Sequence, residues 1–219
     1  MKRQRIGGII FDLDGVLIDS TACHRAAFQS VFAGHGIQDF DYAAYAGWRT
    51  PDVVQDVFRR AGISSDPEEV ADTAREKSLL ARELIAEKKP LTEGCAGVLR
   101  ELAGKYPLAL ATSGSRAAVE AFLDLADCRS IFSSLLSGED VINAKPDPEI
   151  YRRSIEALGA AADNCVVVED AVAGIEAARQ AGARVVGVAG TCPEAALSQA
   201  GACRIIHRLS ELPLLLSML

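Results

Sequence analysis

An α/β fold, doubly wound about a parallel sheet and interrupted by one helical insert, is predicted by three features of this 219-residue chain. Short apolar runs at 6–11, 108–111, 131–136, 165–168, 184–188 and 204–207 alternate with stretches of helical periodicity, among them 117–126, 149–158 and 174–181. The runs are nearly continuous in apolar residues, the composition of parallel strands covered by helices on both faces. Between the first two runs, from about 20 to 89, there is no convincing strand, only amphipathic stretches at 22–33, 51–61 and 68–86. The expected organisation is a core of residues 1–19 and 90–219 with residues 20–89 as the insert. Ile18-Asp19-Ser20 and Pro90-Leu91 are the expected hinges.

The first run, Ile9-Ile10-Phe11, leads into Asp12-Leu13-Asp14-Gly15. Side chains two apart on an extended strand share a face, so Asp12 and Asp14 point into one site. Buried carboxylates cost several kcal/mol each unless compensated, roughly the effective penalty in real sites, so a metal cation or a shared proton is expected there. An exposed Asp-Gly turn would account for the same residues by turn chemistry alone. The second run ends in Thr112-Ser113-Gly114-Ser115, hydroxyls and a flexible backbone before a helix, suited to phosphate oxygens or simply to a Ser N-cap. Lys145 stands at the head of a Pro-stiffened turn, before the helix near Glu149. The run 166–168 ends in Glu169-Asp170, a second pair of acids at a strand end or at a helix N-terminus. All four segments fall at the carboxyl ends of strands, where open α/β sheets carry their ligands.

In this order and approximate spacing the four segments resemble the motifs of the haloacid dehalogenase-like phosphohydrolases, in particular the branch of sugar phosphatases and β-phosphoglucomutases. The resemblance spans nearly the whole chain and implies a Rossmann-like core with a helical cap domain at 20–89. It implies Asp12 as a nucleophile forming an aspartyl-phosphate, and Asp14 as general acid and base toward the leaving oxygen and then water. Thr112, Ser113, Gly114 and Lys145 would hold the phosphate. Mg²⁺ would bind to Asp12, the Asp14 backbone carbonyl and Asp170, with Glu169 beside it or orienting the lysine. An anion attacking an anion needs this positive charge, because repulsion and the charge developing on the phosphoryl oxygens must be neutralised.

The cap is expected to choose the substrate. Its candidates are His24, at the start of the first insert helix, and Arg49, in the turn Gly47-Trp48-Arg49-Thr50-Pro51, as a cation for a second anionic or polyhydroxyl group. Trp48 serves equally well as packing between cap and core. Val16 and His24 look mutase-like, whereas Arg49-Thr50 and Arg116 depart from the mutase pattern, which favours hydrolysis of a small phosphorylated metabolite. A receiver-type phosphoacceptor or a silent binding protein on the same scaffold is the non-enzymatic alternative, disfavoured by the insert and by Asp14.

A net charge of −7 argues against nucleic-acid partners. No apolar run approaches the roughly 18 to 20 residues of a membrane span, and residues 1–5 precede the first strand without a cleavage signature. The six cysteines lie scattered, with no C-x-x-C pair and no histidine at metal spacing, and read as free thiols of a reducing compartment. The expectation is a cytoplasmic monomer.

Overall fold

The computed structural model describes residues 6–218, so the basic segment 1–5 lies outside it. Among the described residues one six-stranded sheet forms, ordered β3-β2-β1-β4-β5-β6. Its strands are β1 (Gly8–Phe11), β2 (Leu108–Ala111), β3 (Phe132–Leu136), β4 (Cys165–Glu169), β5 (Arg184–Val188) and β6 (Arg204–Ile206). Every pairing is parallel.

The pleat sorts the strand residues into two cores. Ile9, Phe11, Leu108, Leu110, Val166 and Val168 pack with α4 (Cys95–Ala103), α5 (Arg116–Ala126) and α9 (Leu212–Met218). Ile10, Ala109, Ala111, Cys165 and Val167 face α6 (Glu149–Leu158), α7 (Val172–Gln180) and α8 (Glu194–Ala200). Helices on both faces explain why the strands carry no polar alternation. The helices α4, α8 and α9 were not anticipated; α8 and α9 are short, and a proline lies inside α9.

Strand order reverses beside β1: the chain first builds outward through β2 and β3, then resumes at β4 on the other side. The crevice above β1 and β4 is therefore the topological switch point, the place for a ligand in an open α/β sheet.

The insert is α1 (Thr21–Gly34), α2 (Thr50–Ala61) and α3 (Pro67–Lys88), with no strand among its described residues. Asp66 caps α3 by accepting a hydrogen bond from the Glu69 amide at 2.8 Å, and Pro67 opens its first turn. These helices bury a core of their own, centred on Phe28, Phe32, Val54 and Phe58. The two chain passages joining insert to sheet run side by side, with the Asp19 amide donating to Pro90 O at 2.7 Å and Ile18 bridging Leu91. No helix among the described residues is long and apolar enough to cross a membrane.

Candidate active site

β1 delivers Asp12 into the crevice, and β4 delivers Glu169 and Asp170 beside it. Carboxylate oxygens of these three buried acids lie within 4.8 Å of one another. The turn after Asp12 fits beneath Asp170 only because Gly15 has φ of +80° and no side chain; a Cβ there would fall 1.8 Å from Asp170 Oδ2.

Lys145 ties the acids together. Its Nζ donates to Asp12 Oδ1 at 2.6 Å, Glu169 Oε1 at 2.7 Å and Ala111 O at 3.2 Å. Burial opposes its charge, but Asp12 and Glu169 outweigh burial and hold the ammonium well above its usual range. Glu169 is itself fixed by four donors. Besides Lys145, the Tyr151 hydroxyl donates to Oε1 at 2.8 Å, and the amides of Asp170 and Ala171 donate to Oε2 at 2.9 and 3.1 Å.

Asp12 is pushed up to about 8, chiefly by burial and further by Glu169 and Asp14, against the pull of Lys145. Asp170 is raised well above the carboxylate range by burial and by the same acidic neighbours. Ionising all three acids against the one ammonium would leave two uncompensated negative charges in a buried, all-oxygen site, which is why Asp12 and Asp170 hold their protons so strongly without a cation. A divalent cation that prefers hard oxygen donors, such as Mg²⁺, fits that set.

Asp14 has a different environment, turned toward the insert. Ser20 Oγ donates to its Oδ1 at 2.6 Å, and His24 Nε2 lies 2.9 Å from the same oxygen. Burial alone would raise this carboxyl, but His24, Ser20 and Lys77 together hold it well below the usual range. Lys77 Nζ lies 2.9 Å from His24 Nδ1. An ammonium can only donate, so Nδ1 accepts and the proton facing Asp14 sits on Nε2. The ammonium also lies 4.2 Å from the centre of the Phe28 ring.

Thr112, Ser113 and Gly114 follow β2 directly. The Gly114 amide donates to Thr112 Oγ1 at 3.0 Å, and Ser113 Oγ donates to Gly47 O in the insert at 2.7 Å. These residues, with Asp12, Asp14, His24, Lys77 and Asp170, line one chamber of about 60 Å³.

Arg49 is placed otherwise than the sequence reading expected. As the residue before α2 its side chain folds over the first turn, pairing with Asp52 at 3.1 Å, and it lines an outer cleft with Trp48 and Ile142 rather than the chamber. Arg116 is likewise committed to the core, bound to Asp140 and to Leu135 O. Sequence reasoning missed Lys77, Tyr151 and Tyr42, the last of which also lines the chamber. Lys77 did carry a signal, since it falls in the apolar stripe of α3 with Thr73, Ala74 and Ala81.

The haloacid dehalogenase-like hydrolase family model matches residues 6–182. The chain belongs to that family. It is 32% identical over 194 residues to the fructose-1-phosphate phosphatase YqaB of Escherichia coli K12, covering 84% of this chain and 97% of YqaB. Protein CbbY of Rhodobacter capsulatus is 33% identical over 195 residues, 84% of this chain and 85% of CbbY. A crystal structure of β-phosphoglucomutase from Clostridium difficile superposes with a TM-score of 0.82 at 26% identity, covering 94% of this hydrolase and 93% of the mutase.

Proposed function

We propose that this hydrolase is a Mg²⁺-dependent phosphatase of small phosphorylated sugars or polyols, acting through an aspartyl-phosphate on Asp12, with residues 20–89 as a cap over residues 1–19 and 90–219. The observation that carries the reading is the division of labour between two carboxylates two residues apart. Asp12 is held by Lys145 among the acids, while Asp14 is held by Ser20 and His24 on the insert side. Paired acids in opposed environments are the usual basis for assigning nucleophile and proton-transfer roles.

In this reading Thr112, Ser113, the Gly114 amide and Lys145 position the phosphoryl group. An Asp12 oxygen attacks phosphorus, the ester P–O bond breaks, and Asp14 gives its proton to the departing alcohol oxygen. Approach of a dianionic phosphoryl group favours the protonated form of Asp14 that this step needs. Asp14 then takes a proton from the water that releases phosphate from Asp12. His24, fixed by Lys77 in the tautomer that donates to Asp14, orients that carboxylate through both steps. A magnesium ion held by Asp12, Asp170 and the Asp14 backbone carbonyl, with Glu169 adjacent, would neutralise the phosphoryl oxygens. The fructose-1-phosphate phosphatase and CbbY relatives support a carbohydrate ester as substrate.

Phosphate release from a panel of sugar and polyol phosphates tests the reading, with Asp12→Asn as the control. The variant should lose turnover and keep the wild-type melting curve, and substantial turnover in it would remove Asp12 as nucleophile. The likeness to β-phosphoglucomutase favours a second reading, in which the phosphoryl group returns to a sugar. Glucose 6-phosphate formed from β-glucose 1-phosphate without phosphate release would establish that one instead.

A further inference from the structure

The chamber of about 60 Å³ above the acids is far smaller than an ordinary small-molecule site, so a leaving group of any size must extend beyond it. Past Asp14, His24 and Lys77 it is continuous with a groove of about 520 Å³ between α3 and α5, and both cavities share those three residues with Thr50 and Gly114. That volume lies within the range of small-molecule sites.

The groove has two apolar walls that the fold does not use. The sheet-facing residues of α5 are Val119, Phe122, Leu123 and Ala126, yet Ala118, Ala121 and Leu125 form a second stripe at helical spacing along the groove. Similarly, α3 buries Thr73, Ala74, Lys77 and Ala81, while Leu79, Ile85 and Ala86 line the opposite wall. Leu79 is 52% exposed, a large apolar side chain left open to the cleft.

We propose that this groove receives the leaving group, and that among sugar and polyol monoesters the preferred ones carry an apolar body, about the size of one or two rings, just beyond the ester oxygen. The proposal rests on the phosphatase reading above. If Asp14 protonates the leaving oxygen, the rest of the alcohol lies on the Asp14 side of phosphorus, which is where the groove begins. Beyond the shared mouth at Asp14, His24 and Lys77, charge remains only at the exposed positions Arg82, Glu83 and Lys89, so the walls offer contact area and few hydrogen bonds.

Two non-hydrolysable probes that differ only in the body isolate the groove: methylphosphonate and benzylphosphonate, titrated calorimetrically into the full chain with Mg²⁺. Burial of the ring should make benzylphosphonate bind at least about tenfold more tightly. Ala121→Phe, on the exposed side of α5, fills the groove and should bring the ratio of affinities close to one. Ala86→Phe does the same from the other wall and serves if the first variant fails to give a native circular dichroism spectrum. Equal affinities in the wild type would overturn the proposal and leave the phosphatase reading standing. A tenfold preference that survives both substitutions would put the ring elsewhere and also overturn it. Failure of both probes to bind, with no phosphate released from any ester, would strike the phosphatase reading itself.

Discussion

Replacing Lys77 by methionine should raise stability and lower activity, an opposition that separates a working charge from a structural one. The Lys77 ammonium is buried, and burial, only partly countered by Asp14, brings it from 10.5 down to about 8. That gap amounts to about 3 kcal/mol of unfavourable free energy below pH 8. The sign follows from proton counting: between about 8 and 10.5 the unfolded chain holds more protons than the folded one, so this contribution to stability improves as pH rises. Methionine removes the cost and keeps an apolar stem against Phe28. Against this stands the lost hydrogen bond to His24 Nδ1, worth about 1.5–3 kcal/mol for a charged donor. The melting temperature at pH 7 should therefore equal or exceed that of the wild type. Activity should fall, because without the ammonium Nδ1 can carry the ring proton and Nε2 has none to give Asp14. A loss of about 10- to 100-fold in kcat/KM corresponds to about 1.4–2.7 kcal/mol of transition-state stabilisation. Steady-state phosphate release and thermal unfolding measure the two effects. In the wild type the loss of the Lys77 proton near pH 8 should add a falling limb to kcat/KM, against the rise from ionisation of Asp12 in the same range, and the variant should lack that falling limb. Unchanged kcat/KM together with a lower melting temperature would refute the argument.

Gly174→Ala should be strongly destabilising, although alanine elsewhere in a helix gains about 1 kcal/mol over glycine. Its Cβ would fall 1.7 Å from Glu169 Oε1, forcing the carboxylate off its four donors, and thermal unfolding at the wild-type temperature would contradict that contact. Removing divalent cations with EDTA should abolish phosphate release, and Asp170→Ala should raise the Mg²⁺ concentration for half activity. EDTA-resistant turnover would exclude the proposed metal role. With Ellman's reagent, native protein should show one fast thiol, Cys203, since the other five cysteines are buried. Burial also pushes Cys95 up to about 12 and Cys128 up to about 11, so rapid labelling of a second thiol would show a looser core.

The strands were legible because a parallel strand covered on both faces leaves an unbroken apolar run, and the acids were legible because they interrupt such runs at the same end. Strand boundaries moved by no more than two residues, as at β1, where the run from Ile6 enters the sheet only at Gly8. What escaped was whatever depends on two segments meeting. His24 was visible on α1, but its partner Lys77 is 53 residues away on a helix crowded with charges, and only the packing of α3 on α1 brings them together. The local pairing of Arg49 escaped for the converse reason. A cation near a site in sequence attracts a binding role, yet Asp52 one helical turn later satisfies it locally.

The separate core of the insert has a thermal consequence. Apart from the segment around Tyr42 and Ala46, its buried apolar side chains are not shared with the cores of the sheet. Contacts across the mouth include hydrogen bonds, Ser113 to Gly47, His24 to Asp14 and Thr21 to Thr191. Swinging the insert outward trades such bonds for bonds to water, at a net of about 0.5–1.5 kcal/mol each, and wets little hydrocarbon. Heat capacity tracks exposed hydrocarbon, so opening carries only a small increment of it, unlike unfolding. The enthalpy of such an opening would therefore stay nearly constant with temperature, so an opening equilibrium at Asp12 would follow a straight van't Hoff line over a range in which global stability curves.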